Sequence, residues 1–131
     1  MNKMSYYFTK KLNLSYDAGR KTIEEKLKEK GFGIVSEIDM HQKFKEKLGV
    51  NFRRYKIIGA CSPKHAFTAV SVEDYIGLML PCNIVIQERG ENSIEISAID
   101  PVASMQAVNN PELSEMALDI RSKLKSIIES L

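Results

Sequence analysis

Two thiols stand out in this chain, Cys61 in "IGACSPKHA" and Cys82 in "LPCNIVI". Each has a proline close by, and each lies at the edge of an apolar, β-rich run. A thiol attacks only as its thiolate, which is favoured at helix starts and beside cationic groups. Ser62-Pro63 is such a start signal, a capping residue followed by one that has no N–H to satisfy. Cys61 therefore precedes a helix whose dipole favours negative charge. His65 follows four residues after Cys61, one helical turn along, where it could add charge. Asp100, in "AIDPVA", is a carboxylate placed before a proline in the same way.

Each of these groups also has an ordinary structural role. Cysteine is often buried and packs as a small hydrophobe. Asp100 before Pro101 suits a helix N-cap. His65 suits an exposed position in a first helical turn. The set is not a zinc signature, because tetrahedral zinc needs about four ligands and the chain has no C-x2-C pair. No metal or other cofactor is expected. A disulfide between Cys61 and Cys82 is geometrically allowed if their strands pair, but a cytoplasmic setting argues against a permanent one. Reversible thiol-disulfide exchange stays open. There is no glycine-rich phosphate loop, no G-x-S-x-G elbow and no paired-carboxylate motif.

The elements that position these residues are legible from periodicity. Tyr6, Phe8, Leu12 and Leu14 fall at even positions, the mark of a half-buried strand. Ser15 caps a helix with apolar Tyr16, Ile23 and Leu27, and Gly31 stops it. Residues 32–38 form a second strand. Met40, Phe44 and Leu48 predict an apolar face on a short helix, with Asp39 and Gly49 as its caps. Residues 52–61 form a third strand. The helix opened by Ser62-Pro63 is expected to point Ala66, Phe67 and Val70 inward. Residues 82–88 and 93–99 form two more strands, joined by a turn at Gly90 and Asn92. The last helix spans about 111–130, with Leu113, Met116, Ile120, Leu124, Ile127 and Leu131 as its stripe.

This order gives an α+β domain. Simple pairing of neighbours yields an antiparallel sheet of about five strands, a β-α-β-β-β-β-α meander with short inserted helices and two long helices packed on one face. In such a sheet the third strand ends where the fourth begins, and the fifth ends on the same rim. Cys61, Cys82 and Asp100 should therefore gather at one end, with Phe32 at the start of the second strand and His65 beside them. Asp39 and His41 belong to the opposite rim.

The totals describe one domain, residues 1–131, able to bury a real core. A hydrophobic fraction of 44% with 27% charged residues is that of a globular protein. No window approaches the roughly 18 consecutive apolar residues of a membrane helix, and the first residues lack the apolar stretch of a signal peptide. A cytoplasmic location with reduced thiols and no membrane partner is expected. Charge is uneven. Residues 1–65 carry 15 Lys/Arg and 7 Asp/Glu, whereas residues 66–131 carry 4 and 10. Either one face is basic, or the halves interleave in space and the asymmetry averages out.

The segments "GFGIVSEID" (31–39), "IIGACSP" (57–63), "LPCNIVI" (80–86) and "DP" (100–101) resemble the family known as domain of unknown function 302. The resemblance runs over about residues 5–130. Its most specific part is Cys-x-Pro followed by Leu-Pro-Cys, with both cysteines in place. It implies a fold similar to that of the TATA-binding protein and a homodimer. It implies no reaction, because the family has no established activity. It does imply that Gly31, Phe32, Asp39, Cys61, Pro63, Pro81, Cys82, Asp100 and Pro101 occupy motif positions.

Three functions follow as expectations. The first is a homodimeric ligand-binding or thiol-active module, with a pocket at one sheet end built from Phe32, Cys61, His65, Cys82 and Asp100. Cys61 would be the thiolate, His65 would tune it, and Asp100 would orient a small-molecule ligand or cap a helix. The second is a non-catalytic dimerisation or protein-interaction module in which the cysteines are structural. Nucleic-acid binding ranks last. Arg53 and Arg54 point to opposite sides of a strand, and the sheet lacks interleaved aromatics for stacking. Whether the protein is an enzyme is left open.

Overall fold

A computed structural model describes residues 5–131. In chain order it contains β1 (Tyr7–Leu12), α1 (Tyr16–Glu29), β2 (Gly33–Asp39), α2 (Met40–Leu48), β3 (Tyr55–Cys61), α3 (Pro63–Val72), a 3-10 turn (Ile76–Met79), β4 (Cys82–Gly90), β5 (Ser93–Ile99), α4 (Pro101–Ser104) and α5 (Pro111–Glu129). The sheet is fully antiparallel, in the order β1-β5-β4-β3-β2. The expected meander is present from β2 to β5. β1 does not join it beside β2; it pairs with β5 at the far edge, from Tyr7 opposite Ile99 to Leu12 opposite Ile94. Beside β2 it would have to pair in parallel, whereas the free edge of β5 offers antiparallel partners.

Several starts and stops follow directly from residue type. The Ser15 hydroxyl accepts from Ala18 N at 3.1 Å and caps α1. Gly31 then adopts a φ of +84°, which only glycine reaches without strain. Asn110 accepts from Glu112 N and caps α5. The β4–β5 turn uses Asn92 at a φ of +52°, a conformation that asparagine tolerates.

The core lies between the sheet and its two long helices. Ile23 and Leu27 of α1 and Ile120, Leu124 and Ile127 of α5 meet Ile58, Ile84, Ile86, Ile94 and Ile96 from the central strands. Each such side chain contributes about 1.5–3 kcal/mol by leaving water. Gly19 lets α1 approach closely, since a Cβ there would overlap Ile94. A smaller cluster joins Ala69 of α3, Ile76, Met105, Leu113 and Ala117, and seats α3 and the 3-10 turn against α5.

Two helices differ from their sequence pattern. α2 buries none of its residues, and Leu48 is 70% exposed. Asp39 does not cap it. Its carboxylate accepts from Tyr16 Oη at 3.0 Å and lies 3.2 Å from Lys56 Nζ, so it braces the sheet instead. α3 is rotated from expectation: Phe67 is 77% exposed and Val70 is also exposed, while Ala66 and Ala69 turn inward. Small residues at this spacing let the helix sit close to the strand ends.

Candidate functional site

The rim formed by the end of β3 and the start of β4 carries a narrow crevice. Phe32, Cys61, His65, Cys82, Met105 and Met116 are among its walls. Its free volume is about 20 Å³, close to the space of one water molecule.

Local sequence explains how the thiols arrive there. Cys82 stands directly opposite Ala60 in the ladder, and both belong to the buried core. The Leu80–Pro81 peptide is cis, and the Pro81 ring lies over Gly59, where a Cβ would come within 2.6 Å of Pro81 Cγ. The proline thus ends the preceding loop against the sheet and delivers Cys82 into the core. Cys61 is the last residue of β3 and is only half-buried. Both thiols are free. Burial pushes the Cys82 thiol up to about 11, and the nearby Cys61 adds to that.

His65 is not an exposed first-turn residue. Its Nδ1 lies 2.7 Å from Ser62 Oγ and its Nε2 lies 2.9 Å from Asp119 Oδ2 on α5. Ser62 sits at the N-cap of α3 but makes no side-chain cap bond, because its hydroxyl is turned to the imidazole. Lys123 Nζ is 3.2 Å from the same Asp119 oxygen. Lys123 and then His65 hold the Asp119 carboxyl below its usual range.

Asp100 shares the rim but is not part of the crevice wall. It is buried, accepts from Val102 N at 3.0 Å as the N-cap of α4, and receives Arg121 Nε at 3.0 Å. Arg121 in turn lies over the Phe8 ring. Asp100 therefore ties α4 and α5 to the sheet edge. Phe32, Cys61, His65 and Cys82 come together, and Asp100 stands apart from them.

Ser62, Met105, Met116 and Asp119 were not foreseen as neighbours of the thiols. Ser62 reads as a plain cap and Asp119 as an acid in the first half of a long helix. The packing of α3 on α5 brings Asp119 to His65, and Met105 arrives from the end of α4. Among the described residues, no group of three or more His, Cys, Asp and Glu is arranged to hold a metal ion. No helix of the described chain is long and apolar enough to cross a membrane.

The sheet face opposite the helices carries a second feature. Tyr7, Tyr55, Gln87, Arg89, Ser97 and Ile99 border a concavity of about 350 Å³. Arg53 and Arg54 part company as expected. Arg53 bonds Gln87 on this face, whereas Arg54 pairs with Asp17 at the start of α1.

The comparisons with known proteins agree with this architecture. The family described as "Domain of unknown function DUF302" is matched over residues 8–131. The crystal structure of an uncharacterised conserved DUF302 protein from Bacillus stearothermophilus is similar at 25% identity, covering 96% of this chain and 98% of that one, with a TM-score of 0.87. No curated protein matches the chain. With its sheet, its long helices and both motif cysteines accounted for, the chain belongs to the DUF302 family, whose function is unknown.

Proposed function

We propose that this protein is a homodimeric thiol-active module that works through Cys61 at the mouth of the rim crevice. The observation that carries this is the unequal placement of the two thiols. Cys61 is half-buried at a strand end, while Cys82 is buried behind it with its thiol pushed up to about 11. One thiol belongs to a half-buried residue at the strand end and the other to a buried one behind it. The chemistry that fits is thiol-disulfide exchange. The Cys61 thiolate attacks one sulfur of a disulfide, a new S–S bond forms, and the other sulfur leaves as a thiolate. A crevice of about 20 Å³ supports exchange at its mouth over enclosure of a ligand. Incubation with glutathione disulfide, followed by peptide mapping, tests it. A glutathione adduct confined to Cys61 is expected; an unmodified protein contradicts it.

A second reading is favoured by the open sheet face. There the side chains of Tyr7, Tyr55 and Val85 lie outside the helix-covered core, around the 350 Å³ concavity. A second copy docked on this face would cover them, and the protein would then be an interaction module with structural cysteines. A stable interface of this kind buries at least roughly 1,000 Å² in total. A Val85→Lys variant that turns a dimer into a monomer in analytical ultracentrifugation would support it; a wild-type monomer at micromolar concentration would contradict it.

A further inference from the structure

We infer that Ser62, His65 and Asp119 form a nucleophilic relay that hydrolyses small activated esters through an acyl-Ser62 intermediate, an activity separate from the thiol chemistry of Cys61. The three side chains come from two helices and form one continuous hydrogen-bonded chain, with steps of 2.7 Å and 2.9 Å. A serine hydroxyl is a weak nucleophile until a base takes its proton, and the base must be held in the right tautomer by a third group. Asp119 is that third group. Its carboxylate accepts from Nε2–H, which leaves Nδ1 free to accept from Ser62 Oγ. Lys123 and His65 keep the carboxylate ionised.

The serine also occupies an unusual local position. A serine at an N-cap ordinarily bonds the first N–H groups of its helix. Ser62 makes no such bond, and the backbone N–H groups of Lys64 and His65 find no acceptor among the described residues. They lie at the helix end next to the hydroxyl, where an oxyanion formed at Ser62 would need donors. The apolar crevice next to Ser62 has room for about one water molecule, so the acyl group rests at its mouth and not inside it.

The reaction balances with water as the only co-reactant. Ser62 Oγ bonds to the ester carbonyl carbon while its proton passes to Nδ1. The C–O bond to the alcohol breaks, and the imidazolium returns the proton to the leaving oxygen. Water then adds to the acyl-serine with His65 again as base, the carboxylic acid leaves, and Ser62 regains its proton.

The test uses the reduced wild-type protein. It is treated with phenylmethylsulfonyl fluoride and the adduct is mapped by peptide mass spectrometry, and p-nitrophenyl acetate hydrolysis is followed in parallel. The expected result is a sulfonyl adduct on Ser62, with hydrolysis falling at least tenfold in Ser62→Ala and in His65→Gln while both variants keep a folded circular-dichroism spectrum. The adduct on the wild-type protein does not depend on any variant folding. No adduct, an adduct on Cys61 instead, or unchanged hydrolysis in Ser62→Ala would overturn the relay. An adduct on Cys61 would leave the thiol function standing alone.

Discussion

The Nε2 atom of His65 stands 2.9 Å from Oδ2 of Asp119, which fastens the first turn of α3 to the middle of α5. Cys82, Met105 and Met116 are among the walls of the crevice that His65 also lines. The tether adds to the apolar cluster that seats α3 on α5, so its removal should be visible in the chemistry of Cys82.

Asp119→Ala should raise the rate of Cys82 modification several-fold in the native protein. Asp119 is itself exposed, so global stability should change little. Site-resolved alkylation by mass spectrometry, alongside urea unfolding, separates the two effects. An unchanged Cys82 rate would mean that α3 is held by its apolar contacts alone.

Stability should fall at alkaline pH through Cys82. Its thiol moves from an ordinary 9.0 to about 11 in the fold, chiefly by burial. Between these values the folded protein keeps a proton that the unfolded chain has released, so the contribution is complete below about pH 9 and is lost as pH rises to about 11. Two pKa units correspond to about 3 kcal/mol. Tyr16, raised by burial and by Asp39, acts in the same direction. The difference between wild type and Cys82→Ala in urea midpoints across this range isolates the cysteine, and parallel curves would refute the assignment.

Gly59→Ala should destabilise the fold by about 1–3 kcal/mol through overpacking. The added methyl would come within 2.6 Å of Pro81 Cγ and closer still to Ser36 Oγ. Pro81 precedes Cys82 directly, so the same variant should speed Cys82 alkylation. A neutral urea midpoint would show that Pro81 is free to move aside.

Asp100→Ala should cost about 1–2 kcal/mol from the lost cap of α4, with a further loss from the freed Arg121 guanidinium. It should leave the reactivity of Cys61 as it is, because Asp100 is not part of the crevice wall. Urea unfolding and Cys61 alkylation report the two halves of this prediction, and a slowed Cys61 would return Asp100 to the site.

Much of the fold was legible because its signals are local. Ser15 and Gly31 act on their own helix ends, and β5 runs over the expected residues, Ser93–Ile99. The convergence of Cys61 and Cys82 on one rim followed from antiparallel order alone. What was not legible depends on contacts between distant elements. The edge that β1 chooses is set by the free side of β5 and not by any property of residues 7–12. The inward face of α3 is set by the tight strand ends beneath it, which admit Ala66 and Ala69 and leave Phe67 outside. Asp119 lies 54 positions from His65, and no spacing rule joins them.

The most direct measurement is the site-resolved alkylation of Cys61 and Cys82 with iodoacetamide in the native, reduced protein at neutral pH. The proposed function predicts rapid modification of Cys61 and at least a hundredfold slower modification of Cys82, with the difference abolished in denaturant. Equal rates, or protection of both cysteines until denaturant is added, would contradict a functional thiol and assign both cysteines to the core.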